Sequence, residues 1–107
     1  MNETNYKNCP PEGEFYAWRK CEGGIIVKVL VPETAKRKEL SGSIASDEIE
    51  VIGFYNFAGE EMPGICGGHI RTSWETHDTV LLKKGQLMTF KEPQIYFFTS
   101  FWDALCN

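Results

Sequence analysis

The chain has 107 residues, of which 42% are hydrophobic, and 11 Lys+Arg set against 15 Asp+Glu give a formal net charge of -4. That is one domain's worth of chain, long enough to bury a core without disulfides or a metal as staples. The charge balance argues against nucleic acid as a principal ligand, because no basic face is present to release counterions from phosphates. The net charge is too mild, and the acids too scattered, for a mimic of DNA, and the acidity is read as serving solubility.

The first residues, M-N-E-T-N-Y-K-N-C-P-P-E-G-E, do not place an apolar segment after a basic one, so no secretory signal is read there. No apolar run reaches the length of a membrane span, and the expected location is the cytoplasm. Cys9, Cys21, Cys66 and Cys106 allow three pairings, but their irregular spacing and a reducing compartment point to free thiols.

Residues 1–13 read as a polar, extended lead-in, and residues 14–107 as a single α+β domain. F-Y-A-W-R-K-C is an aromatic-rich strand, E-G-G a turn, and I-I-V-K-V-L-V the strongest β-branched run, so the three predict a hairpin. Lys28 is the only charge in the second strand, which therefore lies inside a sheet and ends at Pro32. Residues 33–43 carry the basic cluster Lys36, Arg37 and Lys38 and read as a helical turn or an exposed loop. Residues 47–57 read as a strand with a bulge or bend at Gly53.

Residues 58–73 hold four glycines and a proline and form the longest irregular segment, where binding groups tend to sit. T-V-L-L-K-K-G-Q-L-M-T-F divides at Lys84-Gly85 into a second hairpin, and residues 94–99 supply the last strand. Ser100 then caps a short helix, with Asp103 at its third position. The architecture expected is α+β: a mixed, mainly antiparallel sheet of about five to six strands with one or two short helices. Phe97, Phe101, Trp102 and Leu105 are expected to pack on Ile26, Val29 and Val51, so that the C-terminal segment closes the core.

Cys66-Gly-Gly-His69 is the one place where a thiol and an imidazole fall together. Two glycines allow the backbone to curl, which would let Cys66 and His69 share a metal or let the imidazole lower the thiol's pKa. A zinc site needs further ligands, and the remaining Cys and His residues come singly. The stretch is read instead as a glycine-rich turn with a small buried thiol and a solvated histidine, and neither metal nor cofactor is expected. Just beyond it, His69, Arg71, Trp74, Glu75 and His77 concentrate donors, acceptors and an aromatic. Such a group can grip a small polar or nucleotide-like ligand, with Trp74 stacking and Arg71 on an anion; the plain alternative is a polar connection between strands. The adjacent acids Glu60-Glu61 and Asp47-Glu48 diverge on any regular element and read as solvated turns.

F-Y-A-W-R-K-C-E-G-G-I-I-V-K-V-L-V-P-E-T-A-K-R, with E-I-E-V-I-G and Q-I-Y-F-F-T-S-F-W-D-A-L further on, resembles a family of phage and bacterial domains of unknown function. Its members are often appended to pentapeptide-repeat proteins. The resemblance covers most of the chain and implies a phage or mobile-element origin and residence in a bacterial host cell. The terminal strand and helix are also similar to a piece of the ADP-ribosyltransferase fold. That fold carries further strands and a catalytic glutamate beyond the position of Asn107, so the similarity implies a truncated, non-catalytic form. The expected function is that of a small phage-type accessory protein that is not an enzyme. It would engage a host protein or sequester a small nucleotide-like ligand, in the setting of inhibiting a host defence. The alternatives are an enzyme of nucleotide or ADP-ribosyl chemistry using His69, Arg71 and Glu75, and a purely structural appendage.

Overall fold

In a computed structural model, residues 13–40, 43–71, 78–91 and 95–106 are described. They form strands β1 (Phe15–Cys21), β2 (Ile25–Val31), β3 (Arg37–Leu40), β4 (Ser43–Ser46), β5 (Glu48–Tyr55), β6 (Gly67–Arg71), β7 (Thr79–Lys83), β8 (Leu87–Thr89) and β9 (Ile95–Phe97), then helix α1 (Phe101–Cys106). The chain is a mainly antiparallel β structure with one short helix. The expectation of one mixed sheet of five or six strands is corrected to three antiparallel sheets. Their strand orders are β1-β2-β5-β8, β3-β4-β9 and β6-β7 among the described residues.

The first hairpin forms as its sequence predicts. β1 and β2 pair from Phe15 with Val31 to Cys21 with Ile25, and Gly23 and Gly24 turn the chain with φ of 90° and 81°, a region side chains with a Cβ avoid. β2 sits inside the sheet, covered on both faces: Val27, Val29 and Val31 enter the main core, whereas Ile26, pointing the other way, is equally buried. On β5 the register shifts from Lys28 opposite Gly53 to Val29 opposite Val51. Ile52 is thus the extra residue of a bulge beside the glycine, as expected.

Three segments depart from expectation. Residues 37–40 are strand β3, not a helical turn or loop. Arg37 lays its guanidinium 5.0 Å from the Phe15 ring centre and donates to the Pro32 carbonyl at 3.0 Å, so the middle of the basic cluster is a structural clamp. The irregular stretch contains β6. β7 and β8 do not form a hairpin with each other: β7 pairs with β6 and β8 with β5. The turn between them docks on β5, where the Gly85 N–H donates to the Val51 carbonyl and the Val51 N–H to that of Gln86, both at 2.8 Å.

The sheets close round one core drawn from all three, including Ala17, Val29, Val51 and Phe54, Ile70 and Leu82, and Ile95 and Phe97. β1 is joined on its second edge by the reciprocal Trp18–Phe98 backbone pair and by the Glu22 N–H donating to the His69 carbonyl. Arg19 reinforces this seam, donating to the carbonyls of Tyr96, at 3.0 Å, and Arg71. Burial pulls its pKa below the ordinary arginine value. Among the described residues, no helix is long and apolar enough to cross a membrane.

Of the predicted C-terminal packing, the place of Phe97 is seen and that of Trp102 is corrected. Phe97 is in the core with Val29 and Val51, Ala104 is buried and α1 lies on β1, but Trp102 is 69% exposed. In a helix of under two turns only one stripe can face the sheet, and Ala104 occupies it.

Candidate functional site: an aromatic cleft around Lys28

The outer face of the first sheet is built by strand alternation. Tyr16, Trp18 and Lys20 of β1 point away from the core that receives Ala17 and Cys21. The register sets Trp18 opposite Lys28, and Lys28 opposite Gly53. Because Gly53 carries no side chain, the surface beside Lys28 is open where another residue would fill it; Glu61 stands beyond, with a carboxylate oxygen 3.7 Å from where a Cβ of Gly53 would lie. The Lys28 ammonium sits 4.1 Å from the ring centre of Tyr16 and 5.9 Å from those of Trp18 and Tyr55, within the range of cation–π attraction.

Two short elements raise walls on this face. The first is the turn after β5, held by Asn56. Its side-chain oxygen accepts from the N–H groups of Ala58 and Glu60, and its amide donates to the Glu60 carboxylate, all at 2.9 Å. Gly59 completes the turn with φ of 85°. This knot holds Phe57 out from the surface, 43% exposed, with Lys20 5.7 Å from its ring centre. The second wall is α1, whose start is fixed by Ser100: its hydroxyl accepts from the Asp103 N–H at 3.3 Å and its carbonyl from the Ala104 N–H at 3.1 Å. Phe101 and Trp102 meet edge to face there, ring centres 6.1 Å apart. Between the walls lies a cleft of about 380 Å³ lined by Trp18, Lys28, Tyr55, Phe57, Ala58, Gly59, Phe101 and Trp102. At its floor, the Tyr55 phenol is raised above the ordinary tyrosine pKa by burial, with Glu61 and Tyr16 adding to the effect.

The residues singled out from sequence lie elsewhere. His69 is exposed on β6, and Arg71, at the end of that strand, pairs with Glu22 at 3.3 Å. Neither lines the cleft. Trp74, Glu75 and His77 lie outside the described residues, as do Cys9 and the lead-in up to residue 12. Gly67 and Gly68 are strand residues paired with Lys83 and Leu82, so the backbone between Cys66 and His69 runs extended rather than curling. Among the described residues no three His, Cys, Asp or Glu side chains converge as metal ligands, and Cys21, Cys66 and Cys106 are free thiols. The paired acids do have partners. Asp47 accepts from the Lys36 N–H at 2.8 Å, Glu48 from the Thr34 hydroxyl at 3.0 Å, and Glu61 faces Lys84 at 3.9 Å.

A family model described as a family of unknown function (DUF5758) matches residues 5–101. The chain belongs to this family. No curated protein and no solved structure gives a significant match. In this DUF5758 domain the matched span holds all nine described strands, and with them Trp18, Lys28, Tyr55, Phe57 and the first residue of α1. The cleft was missed in the sequence because its members come from three separated segments. The signal was nonetheless present: a Tyr-x-Trp alternation in β1 facing a lone lysine in an otherwise apolar strand.

Proposed function

We propose that this domain is a small, non-enzymatic binding protein of phage type, acting as an accessory that engages a host protein or sequesters a small nucleotide-like ligand. The observation that carries the reading is the aromatic cleft. Soluble proteins place aromatics inside, and ligand sites are concave, mostly apolar and marked by few polar groups; here five aromatic side chains surround one lysine in an open concavity. Tyr16 and Trp102, 47% and 69% exposed, extend the apolar surface beyond its rim. The binding face is thus assigned to this cleft, while the group at His69 and Arg71 serves the strand seam through its carbonyls and the Glu22 pair. The accessory role and its setting in host defence follow from the resemblance to phage and bacterial domains.

The test compares the wild-type chain with Trp102→Ala, which removes exposed area without touching the core. After incubation with a bacterial lysate, native mass spectrometry and affinity capture should find a metabolite or protein retained by the wild type and lost from the variant. Retention indifferent to Trp102→Ala would move the binding face elsewhere.

A further inference from the structure

The chemistry of the cleft specifies its ligand further, and this step rests on the assignment of the cleft as the binding face. Of the eight lining residues, one is charged. Lys28 takes part in neither ion pair among the described residues: those join Arg71 to Glu22 and Lys84 to Glu61. Its neighbours across the strands are Trp18 and Gly53, and three rings, of Tyr16, Trp18 and Tyr55, have their centres within 5.9 Å of its ammonium. The acidic groups near this face are Glu50, set opposite Leu30, Glu60, whose carboxylate accepts from Asn56, Asp103 of α1, and Glu61, which is drawn toward Lys84; none of the four is in the lining.

A half-buried ammonium has three donors. Aromatic faces offset part of the cost of removing it from water, yet they supply no acceptor lone pair. An anionic oxygen entering the cleft would meet such a donor in an apolar setting, where charge-assisted hydrogen bonds are strongest. The walls ask for a flat body: Trp18, Tyr55 and Phe57 offer stacking or edge contacts, and the Phe101 ring closes against Gly59, 3.9 Å from where a Cβ would lie. The volume lies near the low end of the roughly 300–1,000 Å³ of small-molecule sites, enough for one ring system and a single acidic group.

We propose that the cleft binds a small planar aromatic anion, its ring against Trp18, Phe57 and Trp102 and its carboxylate or phosphate on the Lys28 ammonium. Four probes separate the contributions: naphthoate and its neutral counterpart naphthylmethanol, and adenosine monophosphate and neutral adenosine. Each is titrated into the full chain while the indole N–H signals of Trp18 and Trp102 are followed by heteronuclear NMR. Both signals should move with at least one anion, and its neutral counterpart should bind about tenfold more weakly, the share of a charge-assisted hydrogen bond. Which anion binds more tightly distinguishes a carboxylate from a phosphate ligand. Lys28→Gln should abolish the difference within that pair, and Lys28→Arg should restore most of it.

A neutral probe binding as tightly as its anion overturns the proposal without any variant. So does an anion whose affinity survives Lys28→Gln. If no probe moves either indole while a partner is retained in a Trp102-dependent manner, the small-anion proposal falls and the binding face stands, now for a protein partner. If retention ignores Trp102→Ala, the general assignment falls, and the anion titration is judged on the Trp18 signal alone.

Discussion

Among the described glycines, Gly68 is the most closely enclosed. A Cβ built on it would lie 3.0 Å from the Phe54 ring, 3.1 Å from Ile25 Cδ1 and 3.3 Å from Cys21 Sγ. β6 can therefore cross the first sheet this closely only without a side chain, which explains a glycine pair inside a strand where propensity disfavours it. Gly68→Ala should cost about 1–3 kcal/mol through overpacking. Gly64→Ala, where nothing stands within 4 Å of the added carbon, should stay within about 0.5 kcal/mol of wild type. Urea denaturation of both variants measures the contrast, and equal effects would remove the packing explanation.

At the same crossing, Cys21 is 5% exposed, and burial pushes its thiol up to about 11 from the ordinary 9.0, with a backbone hydrogen bond to Val27 and the charge of Arg19 opposing the rise. The folded state holds the proton where the unfolded chain gives it up. Above pH 9 the unfolded state binds fewer protons, so stability falls as pH rises toward 11, by up to about 3 kcal/mol, and below pH 9 the group contributes no slope. Chemical melts of wild type and Cys21→Ala across this window should converge as the pH rises if the alanine is the less stable near neutrality. An unchanged difference between them from pH 8 to pH 11 would refute the linkage.

Among the elements, α1 has two separable roles. Its inner residue Ala104 is buried and the helix lies on β1, on the face that also carries Ile26, while Trp102 faces outward at the cleft. Deleting residues 101–107 uncovers that face and should give insoluble or non-cooperatively melting protein. Trp102→Ala should melt within about 0.5 kcal/mol of wild type, as surface changes do. A soluble, cooperative truncation would show that the helix serves binding alone; a strongly destabilised Trp102→Ala would place that ring in the fold instead. The elements readable in advance were those with long β-branched or aromatic runs, β1, β2 and β5, and the helix signalled by Ser100. β3, R-K-E-L, and β6, G-G-H-I-R, lack any strand periodicity of their own. They are strands because β4 and β7 pair with them.

At the scale of the whole molecule, all three sheets contribute to one core among the described residues. Equilibrium unfolding should accordingly be a single transition, with far-UV circular dichroism, which reports all strands, and tryptophan fluorescence, to which Trp18 and Trp102 of the cleft contribute, giving superimposable curves. Separated midpoints would mean that the outer face with α1 unfolds as its own unit.

Local information in the sequence was sufficient for the first hairpin, the bulge beside Gly53 and the capped helix, because turn glycines, β-branched runs and capping hydroxyls act within a few residues of themselves. It also carried the predominance of antiparallel strands. Only the tertiary structure decided which strands pair: β7 and β8, adjacent and separated by a good turn, go to different sheets because the Lys84–Gln86 turn docks its backbone on Val51. The cleft was decided at that level too. Lys28, read along the chain, is one charge interrupting an apolar strand; the side chains that give it chemical meaning, from Trp18 to Tyr55 and Trp102, are brought round it by strand register and by a helix packed from the far end of the sequence, and neither pairing nor packing over that separation is encoded in local periodicity.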